Sequence, residues 1–402
     1  MAKENTFTHL ESLLSQRKIP GLDGVRAIAI ALVVIDHLHF HAMRKWEESL
    51  GRTGVTLFFV LSGFLITWLL LKENGQNGDI SLRDFYIRRL LRIFPGFYFF
   101  WIAYVGLALI ARSHISWGNC IAALFYVNNY YWALIGGGAG GMLLTWSLAV
   151  EEQFYIVWPS VFRRMRGHLK GMSIALAGLC VAVLLYRALL VHVFRAPDTY
   201  LYAAFDTRMD SLAMGCLLAI TIRTGKAIRF VGFVCSHWIL PVATFAALAA
   251  SISISSFFRF SYWNVEGFSV ESLFSAMLIV QMVVLGDRMP WKWINWRAVR
   301  FIGTISYSLY LYNAIGPDLV NHSPLGHTFL RAPLGLVASL LLATGSYYIV
   351  EKPFLRLKSK YEAVRKSGGE SGVQGRDVLP ENSSNGVADD GSRTPFQPET
   401  AA

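Results

Sequence analysis

The sequence is poor in charge. Asp, Glu, Lys and Arg together make up only 16% of its 402 residues, whereas 54% are hydrophobic. Soluble globular domains carry more charge than this, so the composition excludes an ordinary soluble protein and predicts a polytopic membrane protein. The chain also has no long basic run with interleaved aromatic residues. Its net charge of +11 therefore does not indicate a nucleic-acid partner.

Cysteine is scarce as well. The four cysteines lie in or beside apolar stretches without metal-type spacing, so we expect neither a disulfide framework nor a bound metal; they are Cys120, Cys180, Cys216 and Cys235. The first apolar stretch is not followed by a small-residue cleavage site, which indicates a retained anchor. No internal repeat relates the two halves of the chain, which counts against a transporter built from repeats.

Apolar segments, by contrast, are abundant. A spanning helix needs about 20 mostly apolar residues. Eleven segments compete: 25–42, 53–72, 94–111, 119–135, 143–161, 172–194, 207–222, 230–256, 269–287, 300–320 and 334–352. The short basic clusters between them should be cytoplasmic, and with the N-terminus also inside, only one of 119–135 and 143–161 can span. We select 143–161, because the other segment holds paired asparagines and a patch of small residues.

The predicted fold is an all-α polytopic membrane helical bundle of about ten transmembrane helices, with both termini cytoplasmic. Residues 1–20 are predicted to form a cytoplasmic N-terminal segment and residues 21–360 the transmembrane domain. Residues 361–402 are rich in small and polar residues and cannot bury enough apolar surface to fold. They are predicted to form a disordered cytoplasmic tail.

Charges stand out in the first span, since a charge at bilayer depth costs at least ~2.5–3.5 kcal/mol. The stretch "GLDGVRAIAIALVVIDHLHF" holds Arg26, Asp36 and His37. Arg26 and His37 are eleven residues apart. In an α-helix this spacing places them within roughly 20° of one face and about 16 Å apart along the axis. Two interpretations stay open: Arg26 snorkels to the headgroups while His37 only hydrogen-bonds in the bundle, or both residues serve a site.

Two further motifs carry charge at the membrane. In "RRLLRIFP", Arg89 and Arg92 are neighbours on a helix surface just before the third span; they suit phosphate groups, although topology alone also predicts arginines here. In "TWSLAVEEQFY", Ser147 and Glu151 share one helix face. Counted from the outer ends of the spans, Glu151 and His37 lie at similar depth, so we expect them to meet and the carboxylate to orient the imidazole as a general base.

A fourth motif, "FDTRMDSLAMG", places Asp206, Arg208 and Asp210 at the outer start of a span. The two aspartates share a face, and Arg208 either pairs with one of them as a structural clasp or takes part in function. The sequence leaves these alternatives open.

Together these motifs carry a resemblance. In order and approximate spacing, "GLDGVRAIAIALVVIDH", "GVTLFFVLSGFLIT", "RRLLRIFP", "TWSLAVEEQFY", "RMDSLAMG", "ISYSLYLYN" and "VEKPF" resemble the acyltransferase 3 family of bacterial integral-membrane acyltransferases, over roughly residues 18 to 360. The resemblance implies transfer of an acyl group, commonly acetyl, from cytoplasmic acyl-CoA to a hydroxyl of a carbohydrate or related acceptor. It also implies a multi-pass protein of the bacterial inner membrane, with acyl-CoA as donor substrate and no bound cofactor.

The family's motifs are carried over residue by residue. Its arginine–histidine motif falls on Arg26 and His37, its RxxR motif on Arg89 and Arg92, its Ser-x-x-x-Glu motif on Ser147 and Glu151, and its "FFVLSGF" segment includes Ser62 and Gly63. Members often read "SYSLYLWH" where this chain has Tyr312 and Asn313, which removes a histidine. The esterase-like domain that some members append is not in this sequence, so any extracytoplasmic partner enzyme is expected to be a separate protein.

One mechanism fits both the residues and the resemblance. Acyl-CoA docks its phosphates on Arg89 and Arg92, aided by Arg26, and its thioester reaches His37. His37, oriented by Glu151 or Asp36, deprotonates the acceptor hydroxyl, or instead carries the acyl group transiently. Arg208 and Asp210 are assigned supporting roles together with Ser62, Gly63 and Ser147. The alternative is a proton-coupled carrier or flippase for an anionic lipid or solute.

Overall fold

A computed structural model describes residues 2–16, 19, 21–38, 45–136, 141–257, 262–321, 323–324, 328 and 330–359. Every regular element in these ranges is helical. The α-helices are α1 (Ala2–Ser15), α2 (Leu22–Leu38), α3 (Glu47–Asn77), α4 (Leu82–Ile110), α5 (Trp117–Leu124), α6 (Asn128–Ile135), α7 (Trp146–Met165), α8 (Leu169–Leu189), α9 (Asp198–Ala203), α10 (Phe205–Arg223), α11 (Ile228–Val234), α12 (Leu240–Phe257), α13 (Phe268–Leu285), α14 (Arg297–Thr304), α15 (Ser306–Tyr312), α16 (Ile315–Asn321) and α17 (Arg331–Ser346). The all-α prediction is confirmed.

Six helical segments among the described residues are long and apolar enough to cross a membrane, which makes the chain a multi-pass membrane protein. They are Glu47–Asn77, Leu82–Ile110, Leu169–Phe194, Leu240–Phe257, Trp263–Leu285 and Arg331–Ser359. Helices α2, α7 and α10 are not among the six. Helix α2 has only 17 residues, and α7 and α10 each carry several charged residues. The count of ten spans and the cytoplasmic position of both termini stay predictions.

The segment 119–135 does not form one helix. Helices α5 and α6 have 8 residues each and meet at a turn around Tyr126, whose φ is 55°. Neither helix is long enough to cross a bilayer. By contrast, α7 continues without a break for 20 residues. Because α7 is not among the six candidate spans, the choice of 143–161 as the spanning segment stays a prediction. The predicted span 300–320 differs, since it is divided among α14, α15 and α16.

Helix α3 lies against α2 on one side and α10 on another. A Cβ placed on Gly51 or on Gly54 would fall within 3 Å of α2, at the Asp36 carboxylate and at the Ala29 carbonyl respectively. On the other side, a Cβ on Gly63 would lie 2.0 Å from the Leu212 carbonyl oxygen of α10. Small residues let membrane helices approach closely in this way. Helix α3 can therefore present polar side chains to both neighbours.

The N-terminal segment packs on the bundle. Leu10 and Leu14 of α1 are almost fully buried, and the Leu14 carbonyl accepts a hydrogen bond of 3.2 Å from the indole N–H of Trp68 on α3. Residues 1–356 form one compact unit. The predicted tail, residues 361–402, lies outside the described residues, and the predicted domain boundaries stay predictions.

An ionic clasp holds the end of α7. Asp79, in the turn between α3 and α4, accepts hydrogen bonds from Arg163 at 2.8 Å and from Arg166 at 2.5 Å. The hydrogen bonds from Arg163 and from the Ile80 N–H hold the pKa of Asp79 below its ordinary value. The clasp is exposed to solvent, so it fixes the position of the helix end more than it adds stability.

Close packing of α3 on α10 predicts that Gly63→Ala destabilises the protein. The added methyl group would overlap the Leu212 carbonyl, and overpacking of this kind costs about 1–3 kcal/mol. We expect a lower Tm in detergent and a lower yield of monodisperse protein in size-exclusion chromatography.

Gly178→Ala is the matched control, because Gly178 also lies within a helix and no atom lies within 4 Å of the position of its Cβ. Its Tm should be unchanged or slightly higher, since alanine favours the helix. An equal Tm for Gly63→Ala and the wild type would contradict the packing described for α3.

Candidate active site

Three arginines converge at one end of the bundle. Arg89 and Arg92 lie on α4, and Arg92 interacts repulsively with both Arg89 and Arg26 of α2. Arg26 also donates a hydrogen bond of 2.8 Å to Asp23, whereas the Arg92 side chain is exposed. The residues predicted to bind acyl-CoA are thus brought together, and their mutual repulsion favours an anionic ligand between them.

Glu151 belongs to a cluster beside these arginines, which we call the Glu151 cluster: Ser62, Arg89, Glu151 and Tyr155. The carboxylate accepts hydrogen bonds of 2.6 Å from Ser62 on α3 and 3.2 Å from Tyr155. The Arg89 guanidinium stacks 3.6 Å from the Tyr155 ring centroid. Arg89 and Arg92 both attract the Glu151 carboxylate. The cluster therefore holds Glu151 with the arginines.

This placement differs from the expected meeting of Glu151 and His37. Both described hydrogen bonds of Glu151 go to the Glu151 cluster. On α3, the Ser62 partner lies eleven residues, about 16 Å along the axis, beyond the Gly51 position that faces Asp36. Glu151 therefore lies with the arginines rather than beside His37.

A groove of about 240 Å³ opens beside the Glu151 cluster, between α4 and α7. Arg89 and Tyr155 line it together with Glu152, which is buried and whose Oε1 has no hydrogen-bond partner among the described residues. Exposed apolar side chains, including Phe125 and Ile156, form its rim. The arginine end of the bundle is thus open to the side.

Ser147 and Tyr310 lie between the two ends of the bundle. The Tyr310 hydroxyl donates to the Leu144 carbonyl at 2.8 Å and lies 2.6 Å from the Ser147 hydroxyl, from which it accepts. Tyr310 interacts electrostatically with Glu151 and also with Asp36. This pair therefore links the Glu151 cluster to the end of α2 that carries His37.

His37 lies near the C-terminal end of α2. Its Nδ1 is 2.9 Å from the Val33 carbonyl oxygen. A carbonyl can only accept, so Nδ1 carries the proton in the neutral ring and Nε2 is the basic nitrogen. The Asp36 carboxylate lies 3.9 Å from Nδ1, and the His37 side chain is 27% exposed. His37 thus has the tautomer and access that a general base requires.

Asp210 is held in place by an arginine that lies outside the four charged motifs of the sequence. Arg187 of α8 is fully buried and donates to the Asp210 carboxylate at 2.8 Å and to the Thr207 carbonyl at 2.7 Å. Its guanidinium lies 5.6 Å from the centroid of the Phe268 ring. Ser269 of α13 donates to the same carboxylate at 2.8 Å. The predicted clasp therefore exists for Asp210, but its cation is Arg187 rather than Arg208.

Arg208 pairs with neither neighbouring aspartate. It is fully buried and donates 2.8 Å to the Thr56 hydroxyl on α3. Asp206 instead accepts hydrogen bonds from Tyr130 at 3.0 Å and from Tyr200 at 2.9 Å. The structural-clasp alternative for Arg208 thus does not hold with either aspartate of its motif.

The positions that depart from the family pattern are packed inside the bundle. Asn313 is buried and donates a hydrogen bond of 2.6 Å to the Tyr310 carbonyl. The Tyr312 ring packs edge-on against Phe100, with centroids 5.5 Å apart. Both residues hold α15, and thereby Tyr310, in place. Among the described residues, no group of three or more potential ligands is arranged to hold a metal ion.

Several residues of the polar interior were not selected from the sequence. Arg187 and Glu271 lie within predicted apolar spans, so a charge inside a span, the criterion that identified Arg26, would have found them. Tyr155, Tyr202 and Tyr310 carry no such signal, because a tyrosine is ordinary in a membrane helix. Only packing shows that their hydroxyl groups and rings face charged residues.

Comparison with known proteins adds a family and named relatives. The model of the acyltransferase 3 family, described as an acyltransferase domain, matches residues 19–348. The O-acetyltransferase OatA of Staphylococcus aureus is 30% identical over 319 residues, which are 76% of this chain and 52% of the relative. The peptidoglycan O-acetyltransferase OatA of Listeria monocytogenes is 28% identical over 365 residues, 84% of this chain and 56% of the relative. The chain thus spans about half the length of these relatives. No solved structure matches it.

The buried pair of Arg187 and Asp210 predicts a double-mutant cycle. Arg187→Met leaves an uncompensated buried carboxylate and should lower the free energy of unfolding by about 3–5 kcal/mol. Arg187→Met combined with Asp210→Leu should recover much of that loss, because no charge remains unpaired. The measurement is Tm in detergent for the wild type, both single variants and the double variant; strictly additive losses would contradict the pairing.

Proposed function

The chain belongs to the acyltransferase 3 family, and from this premise we propose that it transfers an acyl group, acetyl in the first place, from acyl-CoA to a hydroxyl of a carbohydrate. Each of the two relatives described above is named an O-acetyltransferase. We propose the membrane of a bacterial cell as the location, with the arginine end facing the cytoplasm and the donor.

One observation carries the proposal: polar residues follow one another through the bundle from the arginines to His37. Arg92 interacts with Arg26 and, at the other side, with the Glu151 cluster. Tyr310 then interacts with Glu151 and with Asp36, beside His37. Polar groups are expensive in a bilayer unless a function or a partner retains them. Such a path supports a reaction that uses both ends of the bundle.

The arginine end suits the phosphates of acyl-CoA. Guanidinium groups bind phosphate oxygens with paired, charge-assisted hydrogen bonds. A bound phosphate would relieve the repulsion between Arg92 and its two neighbouring arginines. The exposure of Arg92 lets a water-soluble donor reach it.

His37 then acts as the general base. Its Nε2 takes the proton of the acceptor hydroxyl while the hydroxyl oxygen attacks the thioester carbonyl. The new C–O bond replaces the C–S bond, and the proton leaves with the CoA thiolate as its thiol. Asp36, 3.9 Å away, stabilises the imidazolium that forms in between. A covalent acyl-histidine would use the same nitrogen and give the same products.

For the acceptor we propose a polysaccharide of the cell envelope. The Listeria monocytogenes relative is named a peptidoglycan O-acetyltransferase, and a cell-surface glycan offers the hydroxyl groups that the proposed reaction needs. Whether the acceptor is peptidoglycan or another envelope glycan decides which hydroxyl is used and leaves the roles of the arginines and His37 unchanged.

His37→Ala and His37→Gln should abolish transfer of radiolabelled acetyl from acetyl-CoA by membranes that contain the protein. General-base catalysis contributes about 10²–10⁴-fold, so the residual rate should fall by at least about a hundredfold. The membrane content of both variants, measured by immunoblot, should match the wild type. Near-normal transfer by either variant would refute the role of His37, and a wild-type protein that neither hydrolyses nor transfers the label would favour the carrier.

Arg89→Gln and Arg92→Gln should raise the apparent KM for acetyl-CoA. A hydrogen bond to a charged group contributes about 1.5–3 kcal/mol, so each variant should raise KM about tenfold or more while kcat changes less. Arg83→Gln is the matched control: Arg83 lies on the same helix and is exposed, so the charge change is identical. An unchanged KM for acetyl-CoA in the two test variants would mean that these arginines do not bind the donor and serve only to set the membrane topology.

A further inference from the structure

Near the His37 end of the bundle, a second set of charged residues surrounds one aromatic ring. We call it the Arg52 cluster: Arg52, Tyr202, Arg208 and Glu271. The guanidinium carbons of Arg52 and Arg208 lie 4.2 Å and 5.7 Å from the Tyr202 ring centroid, and Glu271 is close enough to attract both groups. The reaction described above uses none of the four residues.

Arg208 is a buried cation with unused hydrogen-bond donors. Its exposed fraction is 0%, and its guanidinium stacks 3.6 Å from the centroid of the Phe268 ring. One nitrogen donates to Thr56 at 2.8 Å. Nε and Nη1 have no hydrogen-bond partner among the described residues. A buried charged group with unused donors is costly, so a polar ligand that accepts from them would gain strongly.

Arg52 repeats this arrangement and also lies against the Tyr202 ring. Its guanidinium lies 3.5 Å from the Trp263 ring centroid and 4.2 Å from that of Tyr202. One nitrogen donates to Glu48 at 2.8 Å, and Nε is buried without a partner among the described residues. Arg52 therefore adds a third unused donor to the cluster.

Glu271 adds an acceptor. It is 2% exposed, and its Oε1 accepts from the Ser251 hydroxyl at 3.3 Å. Its Oε2 is buried and has no hydrogen-bond partner among the described residues; the nearby Thr53 hydroxyl donates to the Ser49 carbonyl instead. The cluster therefore offers donors and an acceptor at once.

This combination selects the chemistry of the ligand. A hydroxyl group donates and accepts, so a polyol can satisfy the guanidinium N–H groups and the Glu271 carboxylate together. A phosphate or carboxylate would satisfy only the arginines and would be repelled by Glu271 and by Asp36, both of which interact with Arg52. Aromatic rings add apolar surface, since the Trp146 and Tyr202 rings pack against each other with centroids 4.5 Å apart and planes tilted by 48°.

We propose that the Arg52 cluster is the acceptor subsite and binds a neutral, hydroxyl-rich sugar unit. The proposal rests on the proposed function and names its substrate class. The position fits, because Gly51, the residue before Arg52, packs directly on the Asp36 carboxylate, and Asp36 also interacts with Tyr202. A sugar held by the cluster would present a hydroxyl next to His37.

The test uses the full-length protein purified in detergent and three probes: chitotetraose, maltotetraose and inorganic phosphate. Binding is followed by intrinsic tryptophan fluorescence, and acetyl transfer from acetyl-CoA is followed separately. The test variants are Arg208→Gln and Glu271→Gln. Arg223→Gln is the matched control, because Arg223 lies on the same helix α10 and is exposed.

We expect at least one tetrasaccharide to bind the wild type. Arg208→Gln should raise the Kd of that saccharide and the KM for the acceptor at least tenfold, whereas the KM for acetyl-CoA should change less than twofold. Arg223→Gln should leave the saccharide Kd and the acceptor KM unchanged. Glu271→Gln should weaken saccharide binding severalfold, and it carries the test alone if Arg208→Gln does not elute as a folded protein.

Three outcomes would overturn the subsite. The first is that no saccharide binds the wild type, and the second is that both test variants bind the saccharide with the same Kd as the wild type. The third is that phosphate binds and that Glu271→Gln strengthens its binding. The last outcome would identify an anion site instead. Failure of the proposed function is distinguishable, because it would appear as saccharide binding that depends on Arg208 without any acetyl transfer by the wild type.

Discussion

The packing of the helices depends on how the bundle accommodates its buried guanidinium groups. Every guanidinium nitrogen of Arg187 has a hydrogen-bond partner: the group contacts a carboxylate, two carbonyl oxygens and a hydroxyl. Arg208, equally buried, has one hydroxyl partner and an aromatic ring. The free-energy cost of burying a guanidinium group is thus offset in two different ways. The first solution fixes α8, α10 and α13 to each other, whereas the second leaves two nitrogens of Arg208 without a hydrogen-bond partner among the described residues.

Helix α3 joins the two ends of the interior. Its glycines allow α2 and α10 to approach closely, and the polar residues between them then face both neighbours. Ser62 donates to Glu151 near the arginines, whereas Thr56 accepts from Arg208 nearer to the other end. Substituting a glycine on this helix would therefore displace both clusters, because the same close contact positions them.

Much of this arrangement could be predicted from the sequence, and the exceptions have physical causes. The convergence of Arg26 with Arg89 and Arg92 was expected from their shared role in binding the donor phosphates, and the helical fold and the rejection of 119–135 as a span follow from hydropathy and composition. The position of Glu151 does not. Helical phase fixes the face on which a residue lies, but packing decides which neighbouring side chain that face meets, and here Ser62 of α3 reaches Glu151.

Ion pairing was equally hidden from the sequence. Arg208 has aspartates two residues away on each side, yet residues two apart on a helix point in different directions. Asp210 consequently faces α8, where Arg187 is available, and Arg208 faces α3. Local spacing left a clasp as one of two alternatives for Arg208, and only the packing of three helices shows that Arg187 forms the clasp with Asp210.

The separation of the two ends limits how they can cooperate. Arg26 and His37 lie on the single helix α2, about 16 Å apart along its axis. A hydrogen bond or a direct proton transfer cannot bridge that distance, so both ends can act in one event only if an extended ligand connects them. Such a ligand needs anionic groups at one end and a reactive carbonyl at the other. The Ser147–Tyr310 pair, lying between the ends, supplies hydroxyl groups along its course. On the proposed function, acyl-CoA has this form, and the helix itself sets how far the thioester must extend from the phosphates.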